Sequence, residues 1–425
     1  MRRRYLEAER SLRFDGPVNS EDCRLRAFLK AEKLAPGKDP KPRMIFPRSP
    51  RYNLALASWL KPFEHWLWGY LTFDRVFGGR GIRRNPTRVV AKGLNPRRRA
   101  NLIKRKFDRF RSCVVFEVDG KAFEAHVTQA QIQGEHSVYL SAYNQDRDLH
   151  SLLRRQVFSG STQGGTKFSR PGGRASGDFN TGMGNSLIML AVCGGVLQSH
   201  GCEFDMLVDG DNALVFLERE SLSRVSSTLF DSVLSDSGHE MTLEKPVSYL
   251  EGVRFGRSAP VYLGHGLGWT MVRDYRAVLS CAYASHRWLN EPRFGLAWVA
   301  GVAQCELSLA VGLPVLQQSA LKVLSATEEA LVGLRAKQEQ TLERALTDYI
   351  VVGARRLGRE SARPVRLECR ISFEKAFGLS PEEQLVMERL PVVVSIPSRR
   401  EPGPTLSRLD EAKPGWYEPW LDEQL

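Results

Sequence analysis

The chain has 425 residues, of which 42% are hydrophobic and 26% charged, with 36 Gly and 22 Pro spread along it, which excludes a small stapled fold, a collagen-like repeat and wholesale disorder. Its net charge is +13, and the excess is local: residues 1–110 hold 28 Lys and Arg against 10 Asp and Glu, a balance of +18, while the remainder stands at −5. Basicity of that density points to a polyanionic partner, whether nucleic acid, nucleotide phosphates or an acidic membrane face. Seven Cys without a CxxC pair fit neither a complete disulfide framework nor a zinc site, so a reducing compartment is expected. The charged start MRRRYLEAERSLRF and the shortness of the longest apolar run, Leu187 to Leu197, predict no signal peptide and no transmembrane segment.

Along the chain, the basic part is punctuated by APGKDPKPR, FPRSPRYN and LNPRRR, a pattern predicting loops and strands that carry Arg and Lys rather than a long basic helix. Ala55 to Leu71 reads as a helix rich in Trp and Leu, with a kink or break at Pro62. Packing into the core is the expected role of Trp59, Trp66 and Trp68. CVVFEVDG, from Cys113, predicts a buried strand stopping at Asp119-Gly120, followed by a helix. The Gly- and Ser-rich stretch 159–178 lacks the GK[ST] ending of a phosphate-binding loop and reads as a mobile loop feeding a helix over Phe179 to Ser199. FDMLV and ALVFLE flank Asp209-Gly210-Asp211-Asn212 and predict a hairpin with an acidic tip. Ser221 to Ser237 reads as helix, MTLEKPVSYLEGVRFG as further strands, and Pro314 to Arg356 as helical. The Pro-rich, charged end from Ile396 reads as a tail.

Asp119 and Asp211 both fall at the ends of predicted core strands. Phosphoryl transfer from a nucleoside triphosphate uses hard oxygen ligands to hold a pair of divalent ions, and carboxylates at adjacent strand ends can bridge them. Either Asp alone is better explained as the turn that ends a strand. A third element is Ser176-Gly177-Asp178, Thr181 and Asn185 at a loop-to-helix junction, where the four-residue spacing puts Thr181 and Asn185 on one helix face, able to read a ribose. His126 and His136 have no partner at ligand spacing and are expected to be ordinary surface or core histidines.

In order, the chain carries LKAEK with KPRMIFPRSPRYN (29–53), DGKAFEAH (119–126), SGDFNTGMGN (176–185), DGDN (209–212) and LEGVRFGRSAPV (250–261). This series resembles the RNA-dependent RNA polymerases of positive-strand RNA viruses, and is most similar to the tombusvirus-like group. The resemblance implies an α+β right-hand polymerase with an antiparallel palm sheet and a helical thumb. The implied organisation is basic fingers over 1–112, palm over 113–149, a fingers return over 150–175, palm again over 176–262, thumb over 263–395 and a tail over 396–425. It further implies template-directed RNA synthesis with two Mg²⁺ or Mn²⁺ ions held by Asp119 and Asp211, and with Asn212 at the catalytic turn. Lys30, Lys33, Arg43 and Arg48 are then the basic residues facing the triphosphate, and Glu124, Ser176, Gly177, Asp178, Thr181 and Asn185 the ribose- and RNA-reading set.

Three positions depart from the family pattern. Glu124 stands where a second Asp is usual, Asn212 stands where GDD has its second Asp and offers a weaker neutral ligand, and the place of a general acid is taken by Thr242, leaving Lys245 or His239. The implied partners are RNA template and product, NTPs, and viral or host replication proteins. The implied location is the host cytoplasm, with any attachment to membrane-associated replication complexes made through a partner. A reverse transcriptase-like palm polymerase and a catalytically decayed RNA-binding protein share part of the pattern.

Overall fold

The computed structural model describes residues 2–30, 42–78, 84–284, 292–328, 332 and 336–396. The basic first quarter is more helical than its punctuation suggests. Helix α1 (Arg2–Phe14) precedes strands β1 (Leu25–Leu29) and β2 (Met44–Ile45), followed by α2 (Pro50–Tyr70), the short α3 (Phe73–Val76) and α4 (Pro96–Phe107). The LNPRRR stretch, expected as loop, starts α4 because its Asn and Pro are helix-start residues. Asn95 Oδ1 accepts the Arg98 N–H at 2.9 Å, and Pro96 takes the first helical position, where no N–H is needed.

Pro62 does not end α2. Leu56, Leu60, Phe63, Leu67 and Trp68 are buried on both sides of it, and five such side chains at about 1.5–3 kcal/mol each outweigh the about 3 kcal/mol that an interior Pro costs. Trp68 and, in part, Trp59 join the core as expected, whereas Trp66 is 56% exposed and stacks on Tyr70 with ring centroids 4.5 Å apart.

Strand β3 (Cys113–Gly120) matches its apolar run to the residue. The short α5 (Phe123–His126), α6 (Gln129–Ala142) and α7 (Arg147–Arg154) come next. Much of the Gly- and Ser-rich stretch expected as a mobile loop is a hairpin of β4 (Phe158–Thr162) and β5 (Lys167–Arg170). It is stabilised by sheet formation: β1 pairs parallel with β4, giving a four-stranded sheet in the order β2-β1-β4-β5.

Helix α8 (Thr181–Ser199) leads into β6 (Phe204–Asp209), β7 (Asn212–Glu218), α9 (Leu222–Ser237) and β8 (Met241–Leu243). The strands expected over 241–256 shrink to β8, isolated bridges of Val247 to Val115 and of Phe255 to Ser258, and a 3₁₀ turn at Leu250–Gly252. The central sheet, in the order β6-β7-β3-β8, is antiparallel throughout. Its two faces follow the two-residue period of strands. Phe116, Val118, Met206, Val208, Ala213 and Val215 face the core built with α2, α6, α8 and α9, while Val115, Leu207, Leu214 and Phe216 face a second core under α4 and Val253–Phe255.

The remainder is β9 (Ser258–Tyr262), β10 (Trp269–Arg273), α10 (Tyr275–Cys281), α11 (Pro292–Ala310), α12 (Leu316–Ala326), α13 (Ala336–Tyr349), α14 (Leu367–Phe377) and α15 (Pro381–Arg389). It is mostly helical, with one core where α14 meets β9 and α10, and another where α11, α12 and α13 meet. The tail expected over 396–425 lies outside the described residues beyond Ile396. By length and composition alone α8 could cross a membrane, but 61% of its apolar stretch is buried inside the fold, where it forms part of the central core.

Candidate active site

The end of β3, the β6–β7 turn and the start of α8 converge at one end of the central sheet. Asp119 pairs in register with Asn212, and the Gly120 N–H donates to the Asp211 carbonyl at 3.1 Å. The two acidic residues therefore come from neighbouring strand ends although 92 positions separate them in sequence. The turn is two residues long, with Gly210 at φ +73°, the left-handed value that a tight hairpin needs at its first central residue. Its Gly210 N–H donates to the Ser186 hydroxyl at 3.0 Å, which ties the tip to α8.

Both carboxyls are pushed above the usual carboxylate range. Burial does most of this for Asp211, with Glu124 and Asp119 adding repulsion. For Asp119 burial again leads, followed by Glu244, with Arg257 opposing. Glu117, two residues before Asp119 on β3, is pushed up to about 7 by burial, with Asp119 and Glu244 adding to it against a hydrogen bond from the Gly256 N–H. All three carboxyls are therefore raised mainly by burial, with neighbouring carboxylates adding to it and Lys92 and Arg257 opposing it at Asp211 and Asp119.

Asp209 is the exception at this tip. Burial would raise it, but Lys92 and Arg99 outweigh that effect and hold it below the usual range. Lys92 Nζ lies 2.8 Å from Asp209 Oδ1, and Arg99 Nη2 lies 2.6 Å from Oδ2.

The ribose-reading set is divided by the structure. Asn185 Nδ2 meets Glu124 Oε1 at 3.4 Å, and Asn185 Oδ1 is buried without a hydrogen-bond partner among the described residues. Arg43, Glu124 and Ser176 line one cavity of about 630 Å³, walled by Phe46, Phe158 and Phe168. Asp178, by contrast, is buried against Arg48 and receives Gln156 Nε2 at 3.1 Å. The Thr181 hydroxyl donates back to the Ala175 and Asp178 carbonyls, both at 2.9 Å, so Thr181 and Asn185 do different work despite their spacing. Gly177 packs against Pro47, whose Cα would lie 2.7 Å from an added Cβ.

Arg48 differs from its expected place on an open channel. It is 3% exposed, pairs with Asp178 and donates to the Cys23 carbonyl at 2.9 Å and to the Val157 carbonyl at 2.6 Å. A buried carboxylate needs a cation, and Asp178 takes this one. Below the loop the network continues: Asn180 Nδ2 donates to Glu135 at 2.7 Å, Glu135 pairs with Arg174, and Gln156 bridges to His136 at 2.9 Å. Lys30 joins Arg43 through the backbone, its N–H donating to the Arg43 carbonyl at 2.8 Å, while Lys33 lies outside the described residues.

The general-acid position finds no clear occupant. Thr242 pairs with Asp119 across β3 and β8, and Lys245 lines a separate cavity of about 240 Å³ beside Glu117 and Glu244. His239 is buried, stacks on Phe123 at 4.4 Å and is held down to about 4 by burial and by His126, which leaves it neutral at neutral pH.

Among the described residues no three His, Cys, Asp or Glu side chains gather as a ready-made ion cage. Asp119 and Asp211 nevertheless suit a hard divalent cation, since Mg²⁺ is commonly held by one or two carboxylates with water and substrate phosphates completing its shell. Carboxyls raised by burial beside other carboxylates are a mark of a candidate functional site. The sequence reading missed Lys92, Arg99, Glu117 and Glu244. The two cations sat unremarked in the basic first quarter, and Glu117 stood two positions from Asp119, on the same face of a strand.

A sequence model described as viral RNA dependent RNA polymerase matches residues 1–398. Similar curated proteins, each named RNA-directed RNA polymerase, include those of Turnip crinkle virus, 33% identical over 90% of this chain and 48% of the relative. That of Carnation mottle virus is 32% identical over 90% of this chain and 48% of the relative, and that of Cymbidium ringspot virus 32% identical over 91% and 45%. The chain spans about half the length of the curated relatives it matches. With that match running from the first residue through the helical C-terminal region, the chain belongs to the viral RNA-dependent RNA polymerase family.

Proposed function

We propose that the chain performs template-directed RNA synthesis, adding nucleotides from NTPs to an RNA 3′-hydroxyl to replicate a viral genome. The observation that carries this reading is the juxtaposition of Asp119 and Asp211 on adjoining strand ends, joined by the Gly120-to-Asp211 backbone hydrogen bond of 3.1 Å. On this reading the central sheet is the palm, the β2-β1-β4-β5 sheet with its basic surroundings the fingers, and the helices from α10 onward the thumb. Two divalent ions, when bound, would activate the attacking hydroxyl and neutralise charge on the triphosphate.

The chain's own residues divide the remaining work. Asp119 and Asp211 would hold the ions at the adjoining strand ends. Arg43 and Lys30 bring positive charge toward the triphosphate from the finger strands. Glu124 and Asn185 read the sugar, and the unpartnered Asn185 Oδ1 is the acceptor that a ribose hydroxyl would fill. Arg48 and Asp178 hold the loop before α8 in place. RNA template and product are the nucleic-acid partners, and viral or host replication proteins in the host cytoplasm are the expected assembly.

Primer extension on a short RNA template, with Mg²⁺ and Mn²⁺ in parallel, tests the reading. The native chain is expected to incorporate NTPs in preference to dNTPs, and Asp211→Ala to incorporate none while keeping its thermal unfolding transition. Salt-sensitive RNA binding without synthesis under either ion, equal use of dNTPs, or elongation by Asp211→Ala would overturn it.

A further inference from the structure

The acidic hairpin carries two aspartates, one on each side of Gly210, yet the structure treats them oppositely. Asp211 faces the carboxylates of Glu124 and Asp119, with Lys92 acting against them, whereas Asp209 is gripped directly by two cations from neighbouring elements. Lys92 follows the segment that bridges Val90 to Val208, and Arg99 projects from α4. Lys92 also fills the groove between the hairpin tip and α8: a Cβ on Gly182 would lie 3.2 Å from its Nζ, and one on Gly210 3.9 Å away. The ammonium thus holds Asp209 directly and lies beside the turn glycine and the first turn of α8.

We infer that Lys92 is a positioning residue for the polymerase reaction, which with Arg99 neutralises and pins Asp209 so that the β6–β7 turn presents Asp211 alone to the cleft. This inference rests on the polymerase reading for its kinetic consequences but on geometry for its structural one. Without Lys92, Asp209 keeps Arg99 as its ion-pair partner, and a loosened carboxylate two residues from Asp211 competes for the ions that Asp211 should hold and repels the triphosphate. The Gly210 N–H bond to the Ser186 hydroxyl then still holds the middle of the turn, but nothing on that side fixes the Asp209 carboxylate. Interactions that orient a catalytic ligand through a neighbour typically change activity by about 10- to 100-fold when removed.

The test uses the full chain in four forms: Lys92→Met, Lys92→Arg, Asp209→Asn and the double Lys92→Met/Asp209→Asn. Each is measured for kcat and NTP KM in Mg²⁺-dependent primer extension, for thermal unfolding, and for amide hydrogen exchange over Phe204–Glu218 in the absence of RNA and metal. Lys92→Met is expected to lower kcat at least about tenfold with little change in melting temperature, and Lys92→Arg to restore most of it. Because Lys92 acts through Asp209, the double variant should lose less than the product of the two single losses. The hairpin tip should exchange faster in Lys92→Met and at the native rate in Lys92→Arg.

Unchanged kcat and unchanged tip exchange in Lys92→Met would overturn the inference, as would losses that multiply or that track a fall in melting temperature. If the native chain makes no RNA, the polymerase reading fails, while the exchange comparison still decides whether Lys92 pins the tip.

Discussion

Placing a methyl group on Gly184 should break the scaffold beneath α8. An added Cβ would lie 2.4 Å from Glu135 Oε1 and 2.5 Å from Arg174 Nη2, so the side chain cannot be accommodated unless that pair moves. Both partners are buried, and Glu135 also accepts from the Tyr139 hydroxyl at 2.6 Å and from Asn180 at 2.7 Å, so displacing it strands several polar groups together. Breaking a buried ion pair costs about 3–5 kcal/mol, and Ala returns about 1 kcal/mol of helix propensity, which leaves a net loss of about 2–4 kcal/mol for Gly184→Ala. Gly195→Ala, on the same helix but with nothing within 4 Å of its added Cβ, is the matched control and should gain up to about 1 kcal/mol. Urea unfolding of both variants, followed by circular dichroism, separates them. If Gly184→Ala proves as stable as Gly195→Ala, the pair does not need the space and the reasoning fails.

Glu117 makes stability depend on pH. Its folded value of about 7 lies above the ordinary 4.5, so it costs nothing where both states are protonated, and its charge destabilises the fold as pH rises through that interval. After allowance for solvent screening the effect is about 1–2 kcal/mol, so the melting temperature should fall less between about pH 5 and about pH 8 in Glu117→Gln than in the native chain, and an identical fall would refute it. Lys106 on α4 is fully buried, donating to Asp205 at 2.6 Å and to Thr87 at 2.9 Å. Lys106→Met should cost about 3–5 kcal/mol in denaturant unfolding by leaving Asp205 without its nearest cation, and adding Asp205→Asn should recover part of that loss. A double variant no more stable than Lys106→Met would show that the charge left behind is not the cause.

The central sheet was readable from sequence because its strands are dense apolar runs that stop at acidic Gly turns: CVVFEVDG, and the pair around Asp209–Asn212. Helix α8 was readable for the same reason, as an apolar segment after a glycine-rich entry. Helix α4 was misread because Asn-Pro marks a turn as readily as a helix start, and only the apolar spacing of Ala100, Leu102 and Ile103 further along the chain favours the helix. The β4–β5 hairpin was missed because its residues have little strand preference of their own and gain their order from pairing with β1. At the site, Asp119, Asp211 and Asn185 stood out by position and spacing, and Glu124 by the family resemblance. The pairing of Arg48 with Asp178 across 130 positions, and of Lys92 and Arg99 with Asp209, could not be, since no local pattern specifies which distant charge will fill a vacancy.

The two-sided division of β3, β6 and β7 constrains how the chain can vary in length. Dropping one residue inside any of these strands would send Phe116, Met206 or Val215 to the opposite layer and turn the acidic tip out of line, so such changes have no gradual route. Room for insertion lies instead at the exposed bend of the β4–β5 hairpin, residues 163–166, where nothing large is buried. A reporter peptide grafted there would sit on the rim of the cavity that holds Glu124 and Ser176, close enough to sense its occupancy without entering the sheet beneath it.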